Sequence, residues 1–149
     1  MLILLTPKDV CNEWGQILEV AKESLPSYAD PTRPEWEWHF FCKTQLDNVQ
    51  VWKMVEELEP GILQHVGYII TRCFIDDVFM ESYLLLYGFK LYSKPSAEFL
   101  QHTHKQLEDW AIERGLVRIE AITSSPLMSG IANAFGYEED QHFVKVLRR

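Results

Sequence analysis

The sequence predicts an α/β fold in which one mixed β-sheet carries helices on both faces. Three strand-like runs follow one another across residues 49–89 with short turns between them, which is typical of an antiparallel meander. A long amphipathic segment comes next, and a further strand-like run follows it, which predicts a crossover helix between two strands. Helices before the meander and inside the crossover can then cover opposite faces of the sheet.

The first third of the chain predicts a strand and two helices. "MLILLTP" is a short apolar strand, and apolar residues then recur at helical spacing from Val10 to Ala21 until Pro26 ends the helix. The segment "EWEWHFFCKTQLDN" is ambiguous, because its aromatic residues fit a strand as well as a helix face. We favour a helix that ends near Asp47 and Asn48.

The meander consists of "VQVWKMVEE", "ILQHVGYIITRCF" and "VFMESYLLLYGF", with "LEPG" as the first turn. Gly88 has two interpretations, a bulge that opens a cleft in the sheet or a tight turn at the strand end.

The remaining elements follow from helical and strand periodicity. Residues 96–114 predict a helix with one apolar stripe and with Gly115 as the residue that ends it. "VRIEAIT" predicts a strand parallel to the third strand of the meander, "SSPLMSGIANAF" a short helix and "HFVKVL" a last strand. The stripe comprises Leu100, Thr103, Leu107, Trp110 and Ala111.

Length and composition predict one globular domain over residues 1–149. Hydrophobic residues make up 47% of the chain, and the net charge of −8 argues against a protein that binds nucleic-acid phosphates. No apolar run reaches the ~18 residues of a membrane span. The odd count of cysteines, Cys11, Cys42 and Cys73, suits reduced thiols in a cytoplasm.

Two further patterns bear on partners and metals. His102 and His104 point about 200° apart on the predicted helix, so they cannot share an ion, and we expect no metal site. Trp36 and Trp38, with the phenylalanines that follow, belong either to the core or to an exposed patch that binds a protein. The acidic balance would favour a basic partner, in a homo- or hetero-oligomer.

The segments "LEDWAIERGLVRIEAITS" and "IANAFGYEEDQHFVKVL", with the order of elements, resemble the GNAT superfamily of acetyl-CoA-dependent N-acetyltransferases. The same segments are also similar to divergent GNAT-like proteins of tailed bacteriophages. The resemblance implies acyl transfer from acetyl-CoA to an amine, in a host cytoplasm. The alternative is a non-catalytic GNAT-fold protein that binds a partner or forms part of a virion.

The resemblance also implies where a cofactor would bind. The glycine-rich loop of the family, whose backbone approaches the CoA diphosphate at a helix N-terminus, falls on residues 95–100, where Glu98 and Leu100 replace its glycines. The implied cofactor contacts are Leu85, Leu86, Tyr87, Lys94 and Ser96. From the residues themselves we expect an ordinary helix start here, with Ser96 and Glu98 satisfying the free N–H groups.

For catalysis, the resemblance implies that Glu81 is the general base, because the family often carries a carboxylate near this place on the same strand. The family's general-acid tyrosine falls on Ala132, and an asparagine near the last helix falls on about Ser125. One of three expected side chains is therefore present.

Overall fold

The computed structural model describes residues 1–25, 32–123 and 126–139, apart from the side chains of Pro34, Pro126 and Leu127. The last predicted strand, "HFVKVL", and Ser125 lie outside this part of the chain. The elements are β1 (Leu2–Leu4), α1 (Pro7–Asn12), α2 (Trp14–Glu23), α3 (Pro34–Gln45), β2 (Val49–Glu59), β3 (Ile62–Asp76), β4 (Glu81–Leu91), α4 (Ala97–Glu113), β5 (Ile119–Ala121) and α5 (Pro126–Ala134).

The five strands form one sheet in the order β1-β2-β3-β4-β5. The pairs from β1 to β4 are antiparallel, and β4 pairs with β5 in parallel. The mixed sheet and the crossover through α4 are therefore confirmed. The strand predicted at 117–123 is shorter in the structure, although the Val117 N–H still donates to the Ser82 carbonyl at 2.9 Å.

The helix predicted between Val10 and Ala21 is two helices, and the prediction of one helix is wrong. Thr6 and Asp9 form a reciprocal capping box that starts α1, and Glu13 ends it with non-helical dihedrals. The Glu13 carboxylate leaves the helical surface and reaches the sheet, where Lys53 lies 2.8 Å away and the Tyr68 hydroxyl donates to it. This tertiary contact gives the physical reason for the break.

The polar contacts of Glu13 join the α1–α2 junction to the sheet. Burial opposes ionisation of Glu13, but the hydrogen bonds from Lys53 and Tyr68 outweigh it and lower the pKa of the carboxyl group. Burial, followed by the bond to Glu13, raises the pKa of Tyr68. The Tyr68 hydroxyl also lies 2.9 Å from the Gln16 amide, so α2 is tied to β3.

Each face of the sheet has its own core. The first, on the side of α1, α2 and α3, contains Val10, Ile17, Val20, Ala21, Phe40, Val49, Val51, Tyr68 and Ile70. The second, on the side of α4, contains Trp52, Met54, Val66, Ile69, Leu84, Phe99, Leu107 and Ala111. Helices on both faces are therefore confirmed.

The long helix ends as the sequence predicts. Gly115 has φ +71°, and the Leu116 N–H donates to the Ala111 carbonyl at 3.0 Å. The predicted stripe of α4 is buried at Thr103, Leu107 and Ala111. Among the described residues, no helix is long and apolar enough to cross a lipid bilayer.

Candidate active site

A β-bulge interrupts the pairing of β4 with β3. Ile70 faces Gly88 and Thr71 faces Leu86, so Tyr87 is the extra residue of the bulged strand. β4 continues to Leu91, so Gly88 does not mark a turn at the strand end, and the interpretation as a bulge is confirmed. A Cβ atom at Gly88 would lie 2.9 Å from the Ser24 hydroxyl, because the end of α2 packs over this point.

The bulge reverses the alternation of side chains along β4. Before it, Leu84 and Leu86 pack in the core on the α4 side. After it, Phe89 and Leu91 pack on that side, and Tyr87 between them packs with the opposite core. The extra residue therefore directs Tyr87 towards α3.

The pairing of β4 with β5 stops beside the bulge. Its register is Leu84 with Ile119, Leu85 with Glu120 and Leu86 with Ala121, and β5 ends there. The rest of β4, from Tyr87 to Leu91, has no partner strand on this side among the described residues. The structure thus places Leu85, Leu86 and Tyr87, three of the predicted cofactor contacts, where a parallel pair gives way to an open strand edge.

The predicted helix start is confirmed with Ser96 as its cap, but among the described residues the Glu98 side chain accepts no hydrogen bond from the free N–H groups, so that part of the prediction is not borne out. The helix begins at Ala97 with Ser96 as its N-cap, and the Ser96 hydroxyl oxygen accepts from the Phe99 N–H at 3.0 Å. The same hydroxyl group donates to the Glu56 carboxylate at 3.4 Å. Lys94 is exposed just before the cap.

This arrangement fits a CoA-type ligand in part. The open edge of β4 offers backbone groups to an extended arm. At the helix start, the N–H groups of Ala97 and Glu98 have no acceptor among the described residues, and they could bind a phosphate with Lys94. The Glu98 and Glu56 carboxylates oppose this binding, and Ser96 is already used as the cap. We therefore expect weak affinity for the diphosphate.

Glu81 lies at the first residue of β4, exposed and bound to Arg118 at 2.9 Å. The Arg118 guanidinium also pairs with Glu120 at 2.7 Å and lies over the ring of Tyr83, 4.3 Å from its centroid. Glu81 is five residues before Leu86, roughly 17 Å along an extended strand. The structure therefore does not bring this predicted base next to the bulge.

A cavity of about 320 Å³ lies between α3 and the sheet, beside the bulge. We call it the α3 cavity. Aromatic rings form part of its wall, and the rings of Phe40 and Tyr87 stack with centroids 6.5 Å apart. The lining residues are Leu25, Arg33, Trp36, His39, Phe40, Lys43, Val49, Arg72 and Tyr87. Trp38, from the same aromatic segment, is 69% exposed and does not line the cavity.

No pattern in the sequence assigns a site role to the basic residues of this cavity. Arg33 and Lys43 come from α3 and its N-cap, whereas Arg72 comes from β3, about thirty residues further along the chain. No spacing rule connects them, so only the packing of α3 on the sheet brings them together. The one signal in the sequence is the aromatic cluster that contains Trp36, which marks a core or a binding patch but no cation site.

No protein-family model matches the chain, and no curated protein matches it. Several solved structures, however, are similar to this chain. A probable acetyltransferase superposes with a TM-score of 0.70 at 13% identity, over 100% of this chain and 97% of that one. The ribosomal-protein-alanine N-acetyltransferase from Brucella melitensis biovar Abortus 2308 gives 0.65 at 14% identity, over 100% and 99%.

A third similar structure is AAC(6')-Iy in complex with a bisubstrate analog, CoA-S-monomethyl-acetylneamine, with a TM-score of 0.64 at 11% identity over 100% and 97% of the two chains. At such identities the similarity shows the fold alone. The protein has the α/β fold of the GNAT acetyltransferases. The narrower resemblance to bacteriophage proteins gains no support from these structures.

Proposed function

We propose that the protein transfers an acyl group from an acyl-CoA thioester to the amine of a small acceptor. The observation that carries the proposal is the bulge at Tyr87, beside which the parallel β4–β5 pair ends, so that no described strand pairs with the next part of β4 on this side. The three similar structures named above are acetyltransferases, and one is a complex with a CoA-containing analog, which supports a CoA thioester as donor.

The roles in this proposal follow the geometry. Leu85, Leu86 and Tyr87 would offer backbone groups to the arm of the donor, and Lys94 with the start of α4 would meet its diphosphate. The acceptor would approach from the α3 cavity, which Tyr87 also lines. The amine nitrogen forms an amide bond with the acyl carbon, the carbon–sulfur bond breaks, and the amine gives up a proton.

Glu81 is proposed as the group that receives this proton through a chain of water molecules, because it lies roughly 17 Å along β4 from Leu86. On β4, Glu81 lies on the same face as Tyr83 and Leu85, and Tyr87 also points to this face. Arg118 holds its carboxylate in place, and this ion pair is the competing explanation of the residue.

Calorimetric titration with acetyl-CoA tests the donor, and release of free thiol in the presence of amines tests transfer. We expect weak but measurable binding. Glu81→Gln should lower turnover and leave acetyl-CoA affinity unchanged, and Glu59→Gln, which removes an exposed carboxylate from β2, is the matched control. Absence of binding at millimolar acetyl-CoA would contradict the proposal. If Glu81→Gln and Glu59→Gln have equal turnover, Glu81 is not the base and its role is the ion pair with Arg118.

The alternative is a non-catalytic protein that binds a partner through this fold. The observation on its side is the exposed apolar turn between β3 and β4, where Val78, Phe79 and Met80 are 82%, 72% and 82% exposed. None of the similar structures supports this alternative by its name. It becomes the better explanation if acetyl-CoA does not bind and the protein purifies from its native source in a complex.

A further inference from the structure

The α3 cavity gathers positive charge in an acidic protein. Arg33, Lys43 and Arg72 line it together with His39, and no carboxylate lines it among the residues that the structure describes, although the chain has a net charge of −8. None of the three cations makes an ion pair with a described carboxylate. Basic residues elsewhere commonly do, as Lys22, Lys53, Lys90, Lys105 and Arg118 show.

Arg72 is held in place without a carboxylate. Its guanidinium lies over the ring of Phe74, 4.4 Å from the centroid, and Phe74 in turn stacks on Tyr83 at 5.6 Å. Arg118 stacks on the ring of Tyr83 at the other end of this row, but its N–H groups are bound to Glu81 and Glu120. A guanidinium stacked by its face keeps its N–H edge for hydrogen bonds, so Arg72 is oriented and available.

The remaining wall of the cavity is aromatic. Trp36, Phe40 and Tyr87 line it, with the rings of Trp36 and Phe40 6.2 Å apart. Such a wall suits the flat or apolar body of a small ligand, while a few convergent polar groups fix its orientation. Arginine is well suited to the paired oxygens of a carboxylate or phosphate.

We propose that the acyl acceptor is an amine that carries an anionic group, a carboxylate or a phosphate, beside an apolar or aromatic body. This inference rests on the proposed acyl transfer and names its acceptor class. The anionic group binds Arg72, assisted by Arg33 and Lys43, and the apolar body packs on the aromatic wall. Polycationic acceptors are excluded by like charge, in contrast to the sisomicin bound by the aminoglycoside acetyltransferase meta-AAC0020, a structure of the same fold.

The test uses ligands that share one ring and one amine and differ in the anionic group. These are 2-phenylethylamine, L-phenylalanine and 1-amino-2-phenylethylphosphonic acid, with sisomicin as the polycation. Binding is measured by calorimetry without acyl donor. We expect one or both anionic ligands to bind roughly tenfold or more tightly than 2-phenylethylamine, because 2-phenylethylamine lacks the anionic group that would form a charged hydrogen bond with Arg72. The stronger of the two tells carboxylate from phosphate.

Arg72→Gln should remove this preference. Arg114→Gln is the matched control, because Arg114 also stacks on an aromatic ring, 4.0 Å from the centroid of Trp110, but it is the C-cap of α4 at the other face of the sheet. If Arg72→Gln does not fold, the double variant Arg33→Gln/Lys43→Gln on the cavity rim should weaken the anionic ligands in the same direction. Thermal melts establish folding of each variant.

The outcomes separate the two proposals. Preference for the anionic ligands that disappears in the cavity variants supports binding of this ligand class, and thiol release from acetyl-CoA with these ligands supports their role as acceptor. Failure of thiol release alone counts against acyl transfer. Equal or tighter binding of 2-phenylethylamine or sisomicin, binding of none of the ligands, or an equal effect of Arg114→Gln would overturn the inference while leaving acyl transfer to other amines open to the thiol assay.

Discussion

Replacing Glu98 by glutamine removes a negative charge from the start of α4, where the diphosphate of a CoA ligand would meet the helix. Glu98 is the second residue of α4 and is exposed, and the neighbouring cap is formed by Ser96 rather than by a ligand. The substitution keeps the size and helical preference of the side chain. It therefore isolates the charge.

The size of the effect follows from Coulomb's law. A phosphate bound to the Ala97 and Glu98 N–H groups would lie about 7 Å from the Glu98 carboxylate, which gives roughly 1 kcal/mol of repulsion with a doubly charged diphosphate in water. Removal of this term should tighten CoA binding about fivefold at low salt and less at physiological salt. The free energy of unfolding should fall by about 0.5 kcal/mol, because the helix dipole loses a favourable charge.

Calorimetry with CoA at two salt concentrations measures the affinity, and urea unfolding measures the stability. Glu113→Gln is the control, since it makes the same change at the last residue of α4, about 22 Å away along the axis and beyond the ~8 Å screening length. An affinity that changes by less than twofold, or equally in both variants, would refute the placement of the diphosphate at this helix start.

Three further predictions concern stability and pH. Tyr68→Phe should lower the free energy of unfolding by about 1.5 kcal/mol in urea titrations, since Glu13 loses a partly buried charged hydrogen bond; an unchanged midpoint would contradict this. Gly88→Ala should cost about 1–3 kcal/mol through its contact with Ser24, and Ser24→Gly should restore part of the loss in a double-mutant cycle; additive costs would argue against the contact. Burial lowers the pKa of His104 below its value of about 6.5 in the unfolded chain. The contribution of neutral His104 to stability is therefore present above about pH 6.5 and is lost as the pH falls through the folded pKa. The free energy of unfolding in urea should fall between pH 7.5 and 5, and His104→Gln should make this dependence on pH smaller.

Local chemistry in the sequence predicted the elements that depend on neighbouring residues. The start of α4 at Ser96 and its end at Gly115 follow from capping rules that need only a few adjacent positions. The meander and the crossover followed from periodicity and short turns, and they fix the order of the strands. The glycine-poor stretch before α4 likewise indicated a self-capped helix.

The sequence by itself determined the fold class, because hydrophobic periodicity, caps and short connections are local and leave few possible arrangements. It left the break at Glu13 hidden, since the cause is a contact with Lys53 and Tyr68 on distant strands. Only the tertiary structure decided that the bulge turns Tyr87 towards α3, and that Arg72 joins the cations of that helix in one cavity. A bulge changes which face a residue points to, and a cavity forms between elements far apart in the chain, so neither can be read from spacing alone.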